Sequence, residues 1–234
     1  MKTIREAIGS RLDNQAIRDV FVHSMLESIP PGSRLLDAGA GSQRYRKNCE
    51  HLDYVAQDIG SYSRDEKSTI VNVSGAAISN YDYGPIDIQG NVWDIDASNS
   101  SFDVILCSEV LEHIPYPIAT ITEFQRVLRS GGMLILTAPS NCLRHMDPYF
   151  FTSGFSDRWF ERILEESGFE VREISPVGDY YSWLAVEMAR TGGRHSWLAK
   201  AVLAPAFAYF KLKKPTAESI DTMCMGYHVL AIKK

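Results

Sequence analysis

Two aspartates and two glycines carry the most specific chemistry in this chain. The apolar run Arg34-Leu35-Leu36 ends on Asp37, and Ala38-Gly39-Ala40-Gly41 follows at once. A strand that turns on glycines lets backbone come close to a ligand, because glycine has no Cβ. A phosphate there would want lysine or bare N–H donors, and a carboxylate repels it. Asp37 suits a cationic ligand better. Asp58, followed by Ile59, closes the next apolar run at about the separation from Asp37 expected in a dinucleotide-type strand–helix–strand unit. Two histidines are candidate bases. His113 comes just after the apolar run Phe102 to Ser108, and His145 shares a polar, aromatic stretch with Asp147 and Tyr149. Each has a plainer reading, His113 as a helix residue bonded to a neighbour and His145 as surface loop. No His, Asp or Glu set has metal-ligand spacing, so no metal is expected.

These residues need elements to hold them. Ile17, Val20, Phe21 and Met25 recur at helical spacing, with Asp13 or Asn14 to cap the start, and Pro30-Pro31-Gly32 ends that helix. Strands are expected from Arg34 to an end at Asp37, and at Tyr54 to Ile59, Ile86 to Val92, Phe102 to Ser108 and Met133 to Ala138, with a helix over 42–52. Pro117 opens a further helix to Arg129, on an apolar face of Ile118, Ile121, Phe124 and Leu128. Ser156 caps another that stops at Gly168, and Phe169 to Ile174 is a strand. Tyr180 to Ala189 and Trp197 to Phe210 read as helices, the second interrupted at Pro205, and Gly226 to Ile232 as the closing strand. Residues 60–84 are polar and aperiodic, with one short strand at Thr69 to Val73. A segment of that length is expected either to wall a pocket or to be unstructured. Strands apolar throughout and alternating with helices imply a parallel sheet covered on both faces.

The 234 residues are 45% hydrophobic, enough for one substantial core, and the net charge of -5 gives no general basic surface for nucleic acid. The four cysteines are scattered without a C-x-x-C pair, which points to a reducing compartment and no structural zinc. The first residues lack a signal-peptide apolar core, and no apolar run reaches the ~20 residues that span a bilayer. A cytoplasmic protein is expected.

In order, these motifs resemble the class I S-adenosylmethionine-dependent methyltransferases of the small-molecule, type 11-like kind, over roughly residues 30 to 175. Leu35-Leu36-Asp37-Ala38-Gly39-Ala40-Gly41 is similar to the first motif. Phe102-Asp103-Val104-Ile105 with Ser108-Glu109-Val110-Leu111-Glu112-His113 resembles the fourth-strand motif, and Val127-Leu128-Arg129-Ser130-Gly131-Gly132 the turn into strand five. Gly168-Phe169-Glu170-Val171 matches the usual ending. The resemblance implies a Rossmann-like α/β fold: a seven-stranded, mostly parallel sheet with the last strand antiparallel and helices on both faces. It implies one domain over 1–234, with an N-terminal helical segment at 1–29 and a substrate-side loop and variable helical region at 140–220.

The resemblance also implies S-adenosylmethionine as methyl donor, with S-adenosylhomocysteine as product. Its cofactor site maps onto Asp37, Ala38, Gly39, Ala40, Gly41, Asp58, Ile59, Asn91, Val92, Ser108 and Glu109. The glycines lie beside the methionine part, and Asp58 offers two oxygens to the two ribose hydroxyls. Asn91 stands where the family often has Asp at the adenine edge, and its amide oxygen still accepts. Gln43 stands where the family often has a third glycine. Methyl transfer is an in-line displacement in which alignment and water exclusion matter most, with His113 or His145 as base for a hydroxyl or amine acceptor.

The acceptor is expected to be a small or medium-sized molecule methylated at oxygen or nitrogen, lipid- or glycan-linked acceptors included, with no nucleic acid as partner. The apolar stretch 194–214, ending in Lys211, Lys213 and Lys214, reads as a peripheral membrane contact, as cover for a greasy substrate, or as a core or homodimer helix. Two other functions fit less. A methyltransferase-like protein that binds cofactor or partner without catalysing shares the cofactor motifs. A nicotinamide oxidoreductase would want glycine where Arg44 stands, and Tyr209 with Lys213 lies too late in the chain for a reductase pair.

Overall fold

Neighbouring apolar residues in the strands face opposite sides of one sheet, and this alternation builds two cores. The computed structural model describes residues 13–60, 83–193 and 197–234. Its strands are β1 (Arg34–Ala38), β2 (Asp53–Asp58), β3 (Ile88–Gln89), β4 (Phe102–Ser108), β5 (Leu128–Pro139), β6 (Phe169–Val177) and β7 (Gly226–Lys233). They form a single sheet in the order β3-β2-β1-β4-β5-β7-β6. β1 runs parallel to β2 and β4, β2 to β3, and β4 to β5, whereas β7 is antiparallel to both β5 and β6. The expected seven-stranded, mostly parallel sheet with an antiparallel last strand is therefore the observed one.

On one face Leu35, Val104, Leu106 and Ile135 pack with Val22 and Leu26 of helix α1 (Asn14–Glu27). On the other, Leu36, Ile105, Cys107, Leu134 and Leu136 pack with Ile121 and Phe124 of α2 (Pro117–Val127) and Phe160 and Leu164 of α3 (Asp157–Glu166). Each fully buried side chain of this kind contributes roughly 1.5–3 kcal/mol, set against conformational entropy. The chain runs from β1 outward to β2 and β3, then returns to place β4 on the other side of β1. That reversal opens a crevice at the carboxyl ends of the strands, where open α/β sheets bind ligands.

Several local expectations change. α1 is capped by the Asp13 side chain, which accepts from the Ala16 N–H, but Val20 is 71% exposed and Val22 and Leu26 hold the buried face. The helix expected over 42–52 is instead a set of turns with a short 3-10 helix at Arg46–Cys49. Gln43 has φ 56°, a left-handed conformation that an α-helix of L residues does not continue. The strand expected at Ile86 to Val92 shrinks to β3, because Asn91 closes a turn in which its carbonyl accepts from the Asp94 N–H. β5 starts earlier than expected, at Leu128, and takes Gly131-Gly132 into an irregularity of its pairing with β4.

In α2, Ile118 lies on the exposed side of the helix. Helices α4 (Tyr180–Gly193) and α5 (Trp197–Leu212) follow β6, and α5 runs through Pro205 without stopping. α6 (Ala217–Thr222) is set by a capping box between Thr216 and Ser219, a signal not read in the sequence. The strand expected at Thr69 to Val73 lies outside the described residues. No helix among the described residues is long and apolar enough to cross a membrane. All four cysteines are free, and Cys107 is fully buried in the core, as expected.

Candidate active site

The crevice over β1, β2 and β4 holds a cavity of about 570 Å³. Gly39, Ala40, Gly41, Asp58, Ile59, Asn91, Val92, Ser108, Glu109 and His113 all line it. These residues come from five separate stretches of chain, and the sheet brings them together. Asp37 and Ala38 do not line the cavity. Both are buried beneath it, and the Tyr54 hydroxyl donates to Asp37 Oδ2 at 2.5 Å. Burial pushes the Asp37 carboxyl up to about 6, with the Asp58 charge adding to the rise and the Tyr54 bond opposing it. Asp37 thus acts from below the glycine turn rather than at the cavity wall.

The turn itself is held by backbone donors. The N–H groups of Gly39 and Ala40 both donate to the Gln57 carbonyl at 2.9 Å. Asp58 clamps the next two turns, Oδ2 accepting from the Gly41 N–H at 2.8 Å and Oδ1 from the Gly60 N–H at 2.9 Å. Gly39 has φ 74°, and a Cβ there would lie 2.5 Å from a methyl of Val110. Only glycine satisfies both constraints. Gln43 occupies the position of the usual third glycine in a glycine-like conformation. Its Nε2 donates to the Pro85 carbonyl at 2.5 Å and its Oε1 accepts from Arg46 at 2.7 Å.

A second set of lining residues was not read from the sequence. α1 contributes Gln15 and Arg18 to the wall, the tip of β2 contributes Gln57, and Trp93, Met146 and Phe151 join them, beside the Tyr149 already noted near His145. Arg18 Nη1 pairs with Glu109 Oε2 at 2.7 Å, joining α1 to the loop after β4. Glu109 Oε1 accepts from the Thr137 hydroxyl at 3.1 Å, and Glu109 itself has φ 56°. Gln57 Nε2 donates to the Gly90 carbonyl at 2.7 Å, which fixes the turn bearing Asn91. Arg18 is one polar residue among many in a surface helix, so no pattern announced it.

At the far end, His113 Nδ1 lies 2.6 Å from the Tyr149 carbonyl and must donate to it, since a carbonyl only accepts. Its Nε2 therefore carries the lone pair. Burial, and then the nearby His145, lower its pKa to about 4. His145 does not line the cavity; its ring packs edge-on to His113 with centroids 4.7 Å apart. Beside them Glu112 is buried, and burial with the Glu109 charge holds its carboxyl well above the ordinary carboxylate range. Glu112, His113 and His145 place one ligand-type atom each within 4.8 Å of one another. Sequence spacing did not show this cluster, because His145 arrives from a distant loop.

With this geometry in hand, comparison with known proteins identifies the family. A model described as "Methyltransferase domain" matches residues 11–174. A ubiquinone biosynthesis O-methyltransferase of Xanthomonas axonopodis pv. citri is 26% identical over 171 residues, covering 72% of this chain and 66% of that protein. A "probable S-adenosylmethionine-dependent methyltransferase" of Mycolicibacterium smegmatis is 27% identical over 184 residues, covering 75% of this chain and 66% of that protein. The chain thus spans just under two thirds of the length of these relatives. A geranyl diphosphate methyltransferase, solved with geranyl diphosphate and sinefungin, shares the fold with a TM-score of 0.56 at 12% identity, over 94% of this chain and 79% of that one. The glycine turn, the acid that clamps it and the family match agree, and the chain belongs to the class I S-adenosylmethionine-dependent methyltransferases.

Proposed function

We propose that the protein transfers a methyl group from S-adenosylmethionine to a hydroxyl oxygen of a small or medium-sized acceptor seated beside His113. The observation that carries this reading is the continuity of the cavity from the glycine turn to the His113 wall. Its volume, about 570 Å³, falls inside the ~300–1,000 Å³ of small-molecule sites. At one end Gly39 presents backbone that a Cβ would block, and Asp58 and Asn91 offer acceptor oxygens toward ribose and adenine. We assign Gly39, Ala40, Gly41, Asp58, Ile59, Asn91, Val92, Ser108 and Glu109 to cofactor contact, with Asp37 and Ala38 supporting them from below.

When bound, S-adenosylmethionine supplies a methyl group on a sulfonium whose departure leaves a neutral thioether. The chain's own work is alignment and exclusion of water. Ile114, Pro115, Met146 and Phe151 make the acceptor end apolar. His113 presents an unprotonated Nε2 at neutral pH to receive a hydroxyl proton. The O-methyltransferase relatives favour oxygen over nitrogen.

The remainder of the reading concerns context. We take 1–234 as one domain whose 140–220 region forms the substrate side, supported by Met146, Tyr149 and Phe151 in the cavity wall. We place the protein in the cytoplasm, supported by four free cysteines. We assign α5 to a membrane surface rather than a dimer. It buries none of its side chains, Trp197 is 79% exposed, and residues 197–214 hold four lysines and no carboxylate.

Calorimetric titration of S-adenosylmethionine and S-adenosylhomocysteine, beside NAD and with Asp58→Ala as control, tests the cofactor half. Micromolar binding of the sulfur nucleotides alone, weakened sharply by the substitution, is expected. Transfer of labelled methyl to a panel of phenols, alcohols and amines tests the acceptor half. Labelling of amines but no hydroxyl compound would overturn the choice of oxygen.

A further inference from the structure

Three groups that can each offer a lone pair to a metal converge at the acceptor end of the cavity. His113 Nδ1 gives its hydrogen to the Tyr149 carbonyl at 2.6 Å, and His145 Nδ1 gives its own to the Leu143 carbonyl at 2.9 Å. Each ring is thereby fixed in the tautomer whose Nε2 is bare. Glu112 is 1% exposed, and its Oε2 is buried without a hydrogen-bond partner. Its Oε1 stands 3.6 Å from His113 Nε2, too far for a hydrogen bond. A buried carboxyl oxygen with no hydrogen-bond partner is costly, and a bound ion would relieve it while displacing any carboxyl proton.

We propose that Glu112, His113 and His145 form a binding site for a divalent first-row transition ion, held by two imidazole nitrogens and one carboxylate oxygen. An ion among the three satisfies every unpaired acceptor at once. Nδ1–H bonds from metal-binding histidines to backbone carbonyls are the usual outer support for such ligands, orienting the rings and raising their basicity. Two histidines and one carboxylate favour Zn²⁺, Fe²⁺, Co²⁺ or Ni²⁺ over Mg²⁺ and Ca²⁺, which take oxygen ligands.

The ligand atoms lie within 4.8 Å of one another. Around an ion with bonds of about 2.0–2.1 Å such atoms stand roughly 3.4 Å apart, so the three groups draw together on binding. Three protein ligands leave coordination positions open. Because His113 and the neighbouring Met146 line the cavity, the ion lies at its wall. There it can take an acceptor oxygen and acidify it in place of a histidine base, a role that rests on the hydroxyl-methylation reading.

The test uses the full chain, stripped with chelator and titrated with Co²⁺ and with Zn²⁺ in the absence of S-adenosylmethionine. Wild-type protein is expected to bind one ion and to develop the visible d–d absorption of ligated Co²⁺. His145→Ala, a change in a partly exposed loop, should weaken the ion by about tenfold or more. Its affinity for S-adenosylmethionine should stay as in wild type, because His145 lies outside the cavity wall. Glu112→Gln should weaken the ion likewise if it folds, and His145→Ala decides the matter if it does not. Absence of ion binding up to millimolar concentration, or binding unchanged in His145→Ala, overturns the site. A chain that binds S-adenosylmethionine but no ion loses the metal proposal alone. A chain that binds the ion but no S-adenosylmethionine loses the cofactor half of the function reading and keeps the site.

Discussion

At the scale of single residues, the site depends on conformations that side chains normally avoid. Gly39 combines φ 74° with a Val110 methyl 2.5 Å from where its Cβ would be. Gly39→Ala should therefore cost about 2 kcal/mol or more of stability, from left-handed strain and overpacking together. It should also weaken S-adenosylmethionine more than tenfold, since the displaced turn is the wall assigned to the cofactor. Chemical denaturation beside calorimetry measures both, and an unchanged affinity would remove Gly39 from the site. His113 makes a different prediction. Its pKa is lowered to about 4, so the base is already neutral at pH 6 and stays so until the pH approaches that value. The acid limb of kcat/KM should fall well below the 6.5 of an ordinary histidine. A limb near 6.5 that disappears in His113→Asn would contradict the geometry.

At the scale of elements, α1 and α5 do unlike things. α1 buries Val22 and Leu26 in the core beside β1 and β4, and carries Arg18 to Glu109. Removing the cation with Arg18→Met leaves the Glu109 carboxylate, among the described residues, with its Thr137 bond, so the loop after β4 loosens at the cavity. A several-fold loss of S-adenosylmethionine affinity is expected with little change in melting temperature. Calorimetry and thermal denaturation separate the two effects, and an affinity loss that only follows the melting temperature would speak against it. α5 has no buried side chain to lose. The triple change Trp197→Ser, Leu198→Ser, Val202→Ser should leave stability within about 0.5 kcal/mol, as surface substitutions do. It should abolish cosedimentation with anionic liposomes. Failure of the wild-type protein to bind liposomes of several compositions would sink the membrane assignment.

At the scale of the whole molecule, buried titratable groups set how stability varies with pH. His228 stacks on Phe21 with centroids 4.5 Å apart, linking β7 to α1. Burial, and then Arg18, lower its pKa from 6.5 to about 4. As pH falls below 6.5 the unfolded chain takes up the proton first, so stability present above 6.5 is lost progressively down to about 4. The loss is of the order of 3 kcal/mol for His228, and His113 adds a similar one. Asp37 opposes them. Its folded value near 6 exceeds the ordinary 3.8, so the folded chain gains the proton first between those values. Glu112, its carboxyl raised by burial, opposes them as well, so the His228 share is read against a variant. Urea denaturation from pH 6.5 to 4.5 should show His228→Phe losing less stability with falling pH than the wild type. An equal loss would place the effect elsewhere.

Much of this protein was legible in the order of its residues. Continuous apolar runs and the glycines between them placed β1, β2 and β4 nearly to the residue, because strand burial on both faces makes the whole run apolar. The cavity wall was legible for the same reason: its residues sit at the carboxyl ends of those strands, where the parallel topology puts any ligand. What lay beyond sequence was whatever depends on contact between distant segments. Gln43 could take the glycine-like turn only because Pro85 and Arg46 hold its amide. Asp37 and Asp58 were both read as ligand residues, and depth alone separated them, one beneath the turn and one at the wall. Arg18 reached the site through the packing of α1. Thirty-one residues lie between His113 and His145, and a loop folded against the helical turn after β4 set their rings 4.7 Å apart. Local pattern determined the strands and the glycine turn, since backbone sterics and burial act within a few residues. The polar cluster was decided by tertiary structure, because lone pairs meet in space and leave no period in the chain.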